Sequence, residues 1–502
     1  MTRRRAAFLI LVAWAGALGW LVERSYLGRR GQDRLSLWPV PPGSAYHAIR
    51  IGDRQYGLAT FTIDTLPEGL RVTELVTIDL PPLQPKSPRR TSARVEALYT
   101  RGLQLVRWQS DLLTESGRSA GSGIVSGDTL LTVVTAPRGE APETLSVRLP
   151  RPVILPSAIP LVAASRGLPK PGSRLNLAVY DPFDEEIRLE RLTVAAESVF
   201  TVPDSAEFAD ALRRWRVAHS DTVRAWRINS VEHGLPASRW VDAAGMTVRV
   251  QHALGATFER SAFEIVNSNF RALPPPLWDS GVTAPRFLVT DGNPAPRRHL
   301  TLLARLIPDR PIPRVVPSLE GGWQERVGDT LRIAPSTEAD TGSQPLGTVD
   351  LLTRVDSSIA MAAAHIVGNE ERPEWVARRL SDWVGRAITL RSGPADFSAR
   401  RTLSTRRGTA AERATLLVAL AHGKGLEARR VWGLAAVNGR WELRAWVEWR
   451  SAGGTWTPAD PSSPPGQALA NRVRLATGGE PMLLSLALRA ARLRLAVLEG
   501  TP

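Results

Sequence analysis

Apolar and polar residues alternate with period two from about Tyr46 to Leu149, and this limits the possible fold more than any other feature of the chain. Successive side chains of a strand point to opposite faces, so such a pattern buries one face of an antiparallel sheet. It runs through Tyr56-Gly-Leu58-Ala-Thr60-Phe61, Leu70-Arg-Val72-Thr-Glu74-Leu75 and Thr129-Leu-Leu-Thr-Val-Val134. Gly and Asp interrupt it at turns, as in Ser126-Gly127-Asp128. Residues 151–272 continue the style in Arg174-Leu-Asn-Leu-Ala-Val-Tyr180, in Arg224-Ala-Trp-Arg-Ile228 and from Ser238 to Val250. Trp240 to Val250 reads as a hairpin that turns at Asp242 to Gly245. Residues 44–150 and 151–272 are therefore expected to be β-rich units.

Pro274, Pro275 and Pro276 mark a boundary. Residues 285–350 read as a connector with short strands at Arg286–Thr290 and His299–Arg305 and a polar loop from Pro335 to Asp350. The pattern changes near Leu352. Ser357–Val367, Pro373–Arg386 and Ala410–Gly423 have helical character. In the second, Trp375, Val376, Leu380, Trp383 and Val384 share one face, and Pro373 suits a first helical turn. Strands follow at Arg429–Leu434, Trp441–Trp449 and near Trp456, so residues 352–478 read as an α+β unit. Residues 479–502 add a helix-like run, 481–491, and an alternating strand, 492–498.

The N-terminus carries a targeting pattern. Arg3, Arg4 and Arg5 precede an apolar run from Ala6 to Val22. Seventeen helical residues span ~26 Å, just short of a hydrocarbon core of about 30 Å. The run continues past the small-residue triplet Ala15-Gly16-Ala17, which favours an uncleaved signal-anchor within residues 1–28 over a cleaved signal peptide. The expected partner of residues 6–22 is thus a membrane. The expected location is the inner membrane, single-pass, with the rest of the chain in the periplasm. The expected fold class is α+β, with an N-terminal transmembrane helix, an antiparallel β-rich region and a C-terminal α+β domain. Net charge is +15, but only three of the 64 basic residues are Lys, and the Arg residues are spread along the whole chain. Without an aromatic-basic motif, no nucleic-acid partner is expected. With no cysteine, disulfides, thiolate nucleophiles and Cys-based metal sites are excluded.

The segment Gly408-Thr-Ala-Ala-Glu-Arg-Ala-Thr-Leu-Leu-Val-Ala-Leu-Ala-His-Gly-Lys-Gly-Leu-Glu-Ala-Arg-Arg-Val-Trp-Gly-Leu434 resembles the core motif of the transglutaminase-like superfamily. That motif runs Gly-Asp-Cys-x-x-His/Tyr-Ala, an apolar helix, Gly-Ile-Pro-Ala-Arg and a strand. Arg444-Ala-Trp-Val-Glu448 resembles the family's His-Ala-Trp-x-Glu. Thr455-Trp-Thr-Pro-Ala-Asp-Pro-Ser462 resembles its Trp-x-x-x-Asp-Pro-Thr. The resemblance covers about residues 352–478, a quarter of the chain. It implies a papain-like α+β fold and a Cys-His-Asp mechanism, in which a helix N-terminus and a His lower a thiol pKa. Carried onto this chain, the Cys position is Ala410 and the His position is Arg444. Only Asp460 keeps the family residue. A methyl group cannot attack a carbonyl, and a guanidinium stays protonated near neutral pH.

Two of the three roles are therefore unfilled. Thr409 adjoins the empty position, but Thr409-x-x-Glu412 is a capping box. His422 lies three turns along the same helix, ~18 Å from Ala410 by helical rise. His47, His219, His233, His252, His299 and His365 show no helical or zinc-motif spacing, so neither metal nor cofactor is expected. Trp432, Trp446 and Trp456 read as core. An Arg444–Asp460 ion pair is expected where the His–Asp pair would sit.

The leading expectation is a degenerate, non-enzymatic member that binds a protein or peptide, or serves as a scaffold, at a groove formed by Thr409, Arg444, Trp446 and Asp460. One alternative is an amide hydrolase or acyl transferase with altered chemistry. Another is a carrier for lipid or an apolar ligand, built from the β-rich region.

Overall fold

The computed structural model describes residues 40–501 except 53, 80–89, 115–116, 136–140, 150, 166–169, 253–254, 273–288, 292–298, 307–309, 312–323, 329, 334–347, 392–396, 438–439, 465–470 and 480–492. The alternating pattern folds into a single sheet of 16 strands. The first eight are β1 (Gly43–Ile51), β2 (Arg54–Leu66), β3 (Gly69–Asp79), β4 (Arg90–Tyr99), β5 (Leu105–Thr114), β6 (Gly117–Ser126), β7 (Thr129–Thr135) and β8 (Glu143–Arg148). The next seven are β9 (Val153–Ile154), β10 (Arg174–Asp181), β11 (Glu186–Ala209), β12 (Arg214–Glu232), β13 (Leu235–Asp242), β14 (Thr247–His252) and β15 (Ala256–Ser261). They lie in the order β8-β7-β6-β5-β4-β3-β2-β1-β15-β14-β13-β12-β11-β10-β9, and β21 (Thr348–Asp350) pairs with β11. Neighbours are antiparallel, except that β9 runs parallel to β10. Residues 44–150 and 151–272 thus feed one sheet, joined where β1 pairs with β15.

The sheet coils back on itself. Trp108 of β5 lies 5.5 Å, ring centre to ring centre, from Tyr180 of β10. Thr132 of β7 donates a 3.0 Å hydrogen bond to Glu185, in the turn after β10. Inside the coil is helix α1 (Ile159–Ser165), with Ile159, Leu161, Val162 and Ala163 buried among Tyr99, Leu155 and Tyr180. Each large aliphatic side chain so buried contributes about 1.5–3 kcal/mol. Gly123 of β6 is required by close approach, since a Cβ there would come within 2.3 Å of the Trp108 indole nitrogen. The outer half of the β11–β12 hairpin projects into solvent. At its tip, the Asn269 amide of short helix α2 (Asn269–Ala272) exchanges two 2.8 Å hydrogen bonds with the Trp215 backbone.

A second sheet contains β16 (Val289–Asp291), β17 (His299–Leu306), β18 (Arg310–Pro311), β19 (Gln324–Val327), β20 (Thr330–Ile333) and the last strand, β28 (Leu493–Thr501). Then come α3 (Ser357–Val367), α4 (Pro373–Ala387), β22 (Thr389–Leu390), α5 (Ala399–Thr405), β23 (Arg407–Gly408) and α6 (Ala410–Gly423). The helices pack on a four-stranded sheet of β26 (Trp456–Ala459), β25 (Arg440–Arg450), β24 (Ala428–Val437) and β27 (Arg472–Thr477), in that order.

Three expectations are corrected. The chain is mostly β-sheet rather than α+β with an N-terminal transmembrane helix, because helices α3–α6 cover only the C-terminal part while strands run through the rest. The anchor expected at 6–22 lies outside the described residues, and among the described residues no helix is long and apolar enough to cross a membrane. The longest, α4, has 15 residues and carries Glu374, Arg378, Arg379, Asp382 and Arg386. The inner-membrane, periplasmic placement is therefore not upheld. Trp375 does not join the buried face of α4. It sits in the first turn, 43% exposed, between the Arg372 and Arg378 guanidinium groups. The helix-like run 481–491 lies outside the described residues.

Candidate functional site

Helix α6 is the centre of the C-terminal core. Residues 411–421 are all buried, so the helix is enclosed on every side. Its start is fixed by the capping box read from the sequence. The Thr409 hydroxyl accepts from the Glu412 amide at 3.2 Å, and the Glu412 carboxylate accepts from the Thr409 amide at 2.7 Å. Glu412 also accepts from the Arg391 guanidinium at 2.6 Å and from the Phe397 amide at 3.2 Å. Gly425, at φ +72°, ends the helix in the left-handed conformation.

This cap puts the Ala410 methyl in the first turn, at the position where the family pattern has its sulfur. Thr409 has its hydroxyl oxygen committed to the cap. The His422 ring is exposed and bonds the Ala428 carbonyl at 2.9 Å, beyond the far end of the helix.

Arg444 lies on β25, paired in register with Gly433 of β24. Asp460 directly follows β26, whose Ala459 is paired with Val447 of β25. The expected Arg444–Asp460 ion pair is replaced by two others. Arg444 reaches Glu442 at 3.2 Å. Asp460 accepts from Arg472 Nε at 3.0 Å and Nη2 at 2.7 Å, from the Ser462 amide at 2.8 Å and from the Ser463 hydroxyl at 3.0 Å. The side chains of Asp460 and Arg472 are 0% and 3% exposed. Three of these donors fall on Oδ2 and one on Oδ1, and the carboxylate is buried. Trp446 is also fully buried and packs beneath Gly433, where a Cβ would come within 2.6 Å of its ring. Trp446 and Asp460 are thus underneath the surface that sequence reasoning gave them, while Thr409 and Arg444 are part-exposed.

A residue that sequence reasoning missed links these positions. Arg413 is one turn beyond Ala410 on α6. It donates to the carbonyls of Pro461 at 3.2 Å and Gly385 at 3.5 Å, and to that of Ile388. Its buried Nε has no hydrogen-bond partner. Burial lowers its pKa, Asp460 opposes that shift, and Arg444 adds to it, so Arg413 stands within electrostatic reach of both. The signal was present in the sequence: Arg413 is a charged residue just before Ala414–Ala421, a run whose only polar residue is Thr415. Arg472 gave none, because its partner Asp460 lies outside its own strand, just after β26.

Residues 360–461 match the model of the transglutaminase-like superfamily. Among solved structures, the chain is similar to a candidate cysteine protease from Cytophaga hutchinsonii, at 15% identity and TM-score 0.24, over 41% of this chain and 88% of that one. It is also similar to a candidate protease from Parabacteroides distasonis, at 8% identity and TM-score 0.19, over 73% of this chain and 69% of that one. No curated protein matches the chain.

Proposed function

We propose that the transglutaminase-like part of the chain carries out no amide chemistry and instead binds a protein or peptide segment beside the start of α6. The observation that carries this reading is a methyl at Ala410 together with an Asp460 carboxylate that is buried and ion-paired with Arg472. Attack on an amide needs a nucleophile, a base and a group that orients the base. Here the first two positions are a methyl and a guanidinium, and the third is a buried carboxylate paired with Arg472. The surface that remains includes part-exposed Thr409 and Arg444, with Arg413 just below it. Its charge suits a segment bearing carboxylates.

The purified chain is expected to show no turnover in glutamine-crosslinking or amide-hydrolysis assays. Turnover that disappears in Thr409→Ala would overturn this and favour the altered-chemistry reading. Peptides selected by display against the purified chain should be enriched in acidic residues and should lose binding to Arg444→Ala. Selection without enrichment, or binding indifferent to that change, counts against the reading. A lipid carrier built from the large sheet is disfavoured, because α1, Trp108, Tyr99 and Tyr180 fill the interior of the coil.

A further inference from the structure

We propose that Asp181, Asp184 and His233 hold one divalent transition-metal ion at the junction between the large sheet and the C-terminal unit. This goes beyond the peptide-binding reading and does not depend on it. Asp181 ends β10, Asp184 lies in the turn to β11, and His233 lies in the turn between β12 and β13. One donor atom from each falls within 4.8 Å of the other two. Donors that share an ion at about 2.1 Å sit roughly 3–4 Å apart, so small side-chain rotations complete the set. Two carboxylate oxygens with one imidazole nitrogen suit Zn²⁺ or Mn²⁺ better than Mg²⁺ or Ca²⁺, which favour all-oxygen sites.

A second observation separates this group from an ordinary acidic cluster. The Nδ1 atom of His233 is buried, has no hydrogen-bond partner and lies 3.5 Å from an Asp184 oxygen, too far for a good hydrogen bond. The exposed group Asp204, His219 and Asp221 behaves differently, since His219 Nδ1 there makes 2.9 Å hydrogen bonds to Asp204.

The charges around the site point the same way. Asp181, Asp184, Glu186 and Glu190 make four carboxylates, and Asp184, Glu186 and Glu190 are buried. Buried Glu185 adds a fifth, while Arg188 and Arg430 supply only two guanidinium groups, so carboxylates outnumber cations here. Arg188 reaches Asp181 only at 3.4 Å and Asp184 at 3.9 Å, longer than the 2.7–2.9 Å of a strong charge-assisted bond. Neither oxygen of Glu190 has a hydrogen-bond partner, and Arg188 Nε approaches it only at 3.5 Å. The competing account balances the excess of carboxylates with protons: burial, then Asp181 and Glu186, push the Asp184 carboxyl well above its usual range.

The site would tie together segments distant in sequence. The His233 carbonyl accepts from the amide of Thr477, the last residue of β27, at 3.0 Å. Gly479 lies against the Asp184 carboxylate, where a Cβ would come within 1.8 Å. Next to it, Gly478 exchanges hydrogen bonds with Arg430 of β24.

The test uses the full chain, stripped with chelator and titrated by calorimetry with Zn²⁺ and, separately, Mn²⁺. Saturable binding of one ion per chain is expected. His233→Gln and Asp184→Asn should each weaken it about tenfold or more. His219→Ala, in the exposed group, should leave it unchanged. Wild-type affinity in His233→Gln, or loss only in His219→Ala, overturns the proposal. Should the buried-site variants fail to fold, crystals of the unaltered chain soaked in Zn²⁺ decide the matter. An anomalous peak bonded to the three side chains supports the site, and its absence there refutes it.

Discussion

Glu412 shows how much one buried carboxylate can hold. Its side chain is 1% exposed, yet it ties together the α6 cap, the Arg391 guanidinium and the Phe397 amide. Removing this carboxylate takes an acceptor from the Arg391 guanidinium and from two amides. Glu412→Ala is expected to cost about 3–5 kcal/mol in denaturant unfolding. A loss below about 1 kcal/mol would show the network to be peripheral. His47, in the large sheet, makes a pH-dependent contribution. Burial, aided by Arg260, lowers its pKa to about 4, while its bond to the Thr247 carbonyl opposes the shift. The folded state therefore resists protonation more than the unfolded chain does. The stability involved is complete above about pH 6.5 and falls away as the pH drops towards 4. By linkage the loss amounts to about 3 kcal/mol. Denaturation at pH 7 and pH 4.5 should show a larger drop for the unaltered chain than for His47→Gln. The capping box was legible because both its members lie within four residues. The Asp460–Arg472 pair and the Arg413 carbonyl cradle were not, because their partners come from other elements.

At the scale of elements, helices announced by a local cap were readable. Asp356 caps α3 through the Ile359 amide and Thr409 caps α6, and both helices begin where the sequence places them. Helix α1 carries no such signal. Its Ile159-Pro-Leu-Val-Ala-Ala-Ser165 is a short apolar run, and periodicity cannot separate that from a buried strand. Nor could a pattern of alternation say that strands from 44–150 and 151–272 would meet, because the β1–β15 contact joins the two ends of the run. In α6, Leu416, Leu417 and Leu420 are buried, and so are all the residues around them. Leu420→Ala should therefore leave a cavity on a helix with no free side, costing about 2–5 kcal/mol in thermal or chemical unfolding. A cost near zero would mean that the helix can shift to fill the space.

The two ends of the molecule are sewn together by polar contacts. Buried Glu143, at the start of β8, accepts from the Ser398 amide at 3.1 Å and from its hydroxyl at the start of α5. The Arg401 guanidinium bonds the Ala141 carbonyl at 2.6 Å, and Arg354 bonds that of Ser146. Leu235, on a strand of the large sheet, is buried in the C-terminal core. The sheet and the C-terminal unit should therefore melt together, in one calorimetric transition. Glu143→Ala, which leaves the Ser398 groups without their acceptor, is expected to split that transition in two. A single unshifted peak in the variant would show that the junction at Leu235 and His233 suffices. None of these ties was readable from composition or spacing, since each spans two separately patterned stretches.

The pairing of β1 with β15 has a mechanical consequence. It aligns Tyr46 with Ser261 and Ile51 with Ala256, so the start of one strand and the end of the other lie at the same end of the seam. Tension drawn through Gly43 and Ser261 would enter there and peel the ladder one rung at a time instead of loading all its rungs together. Under traction the sheet would part along this line, with the folded meanders on either side still whole.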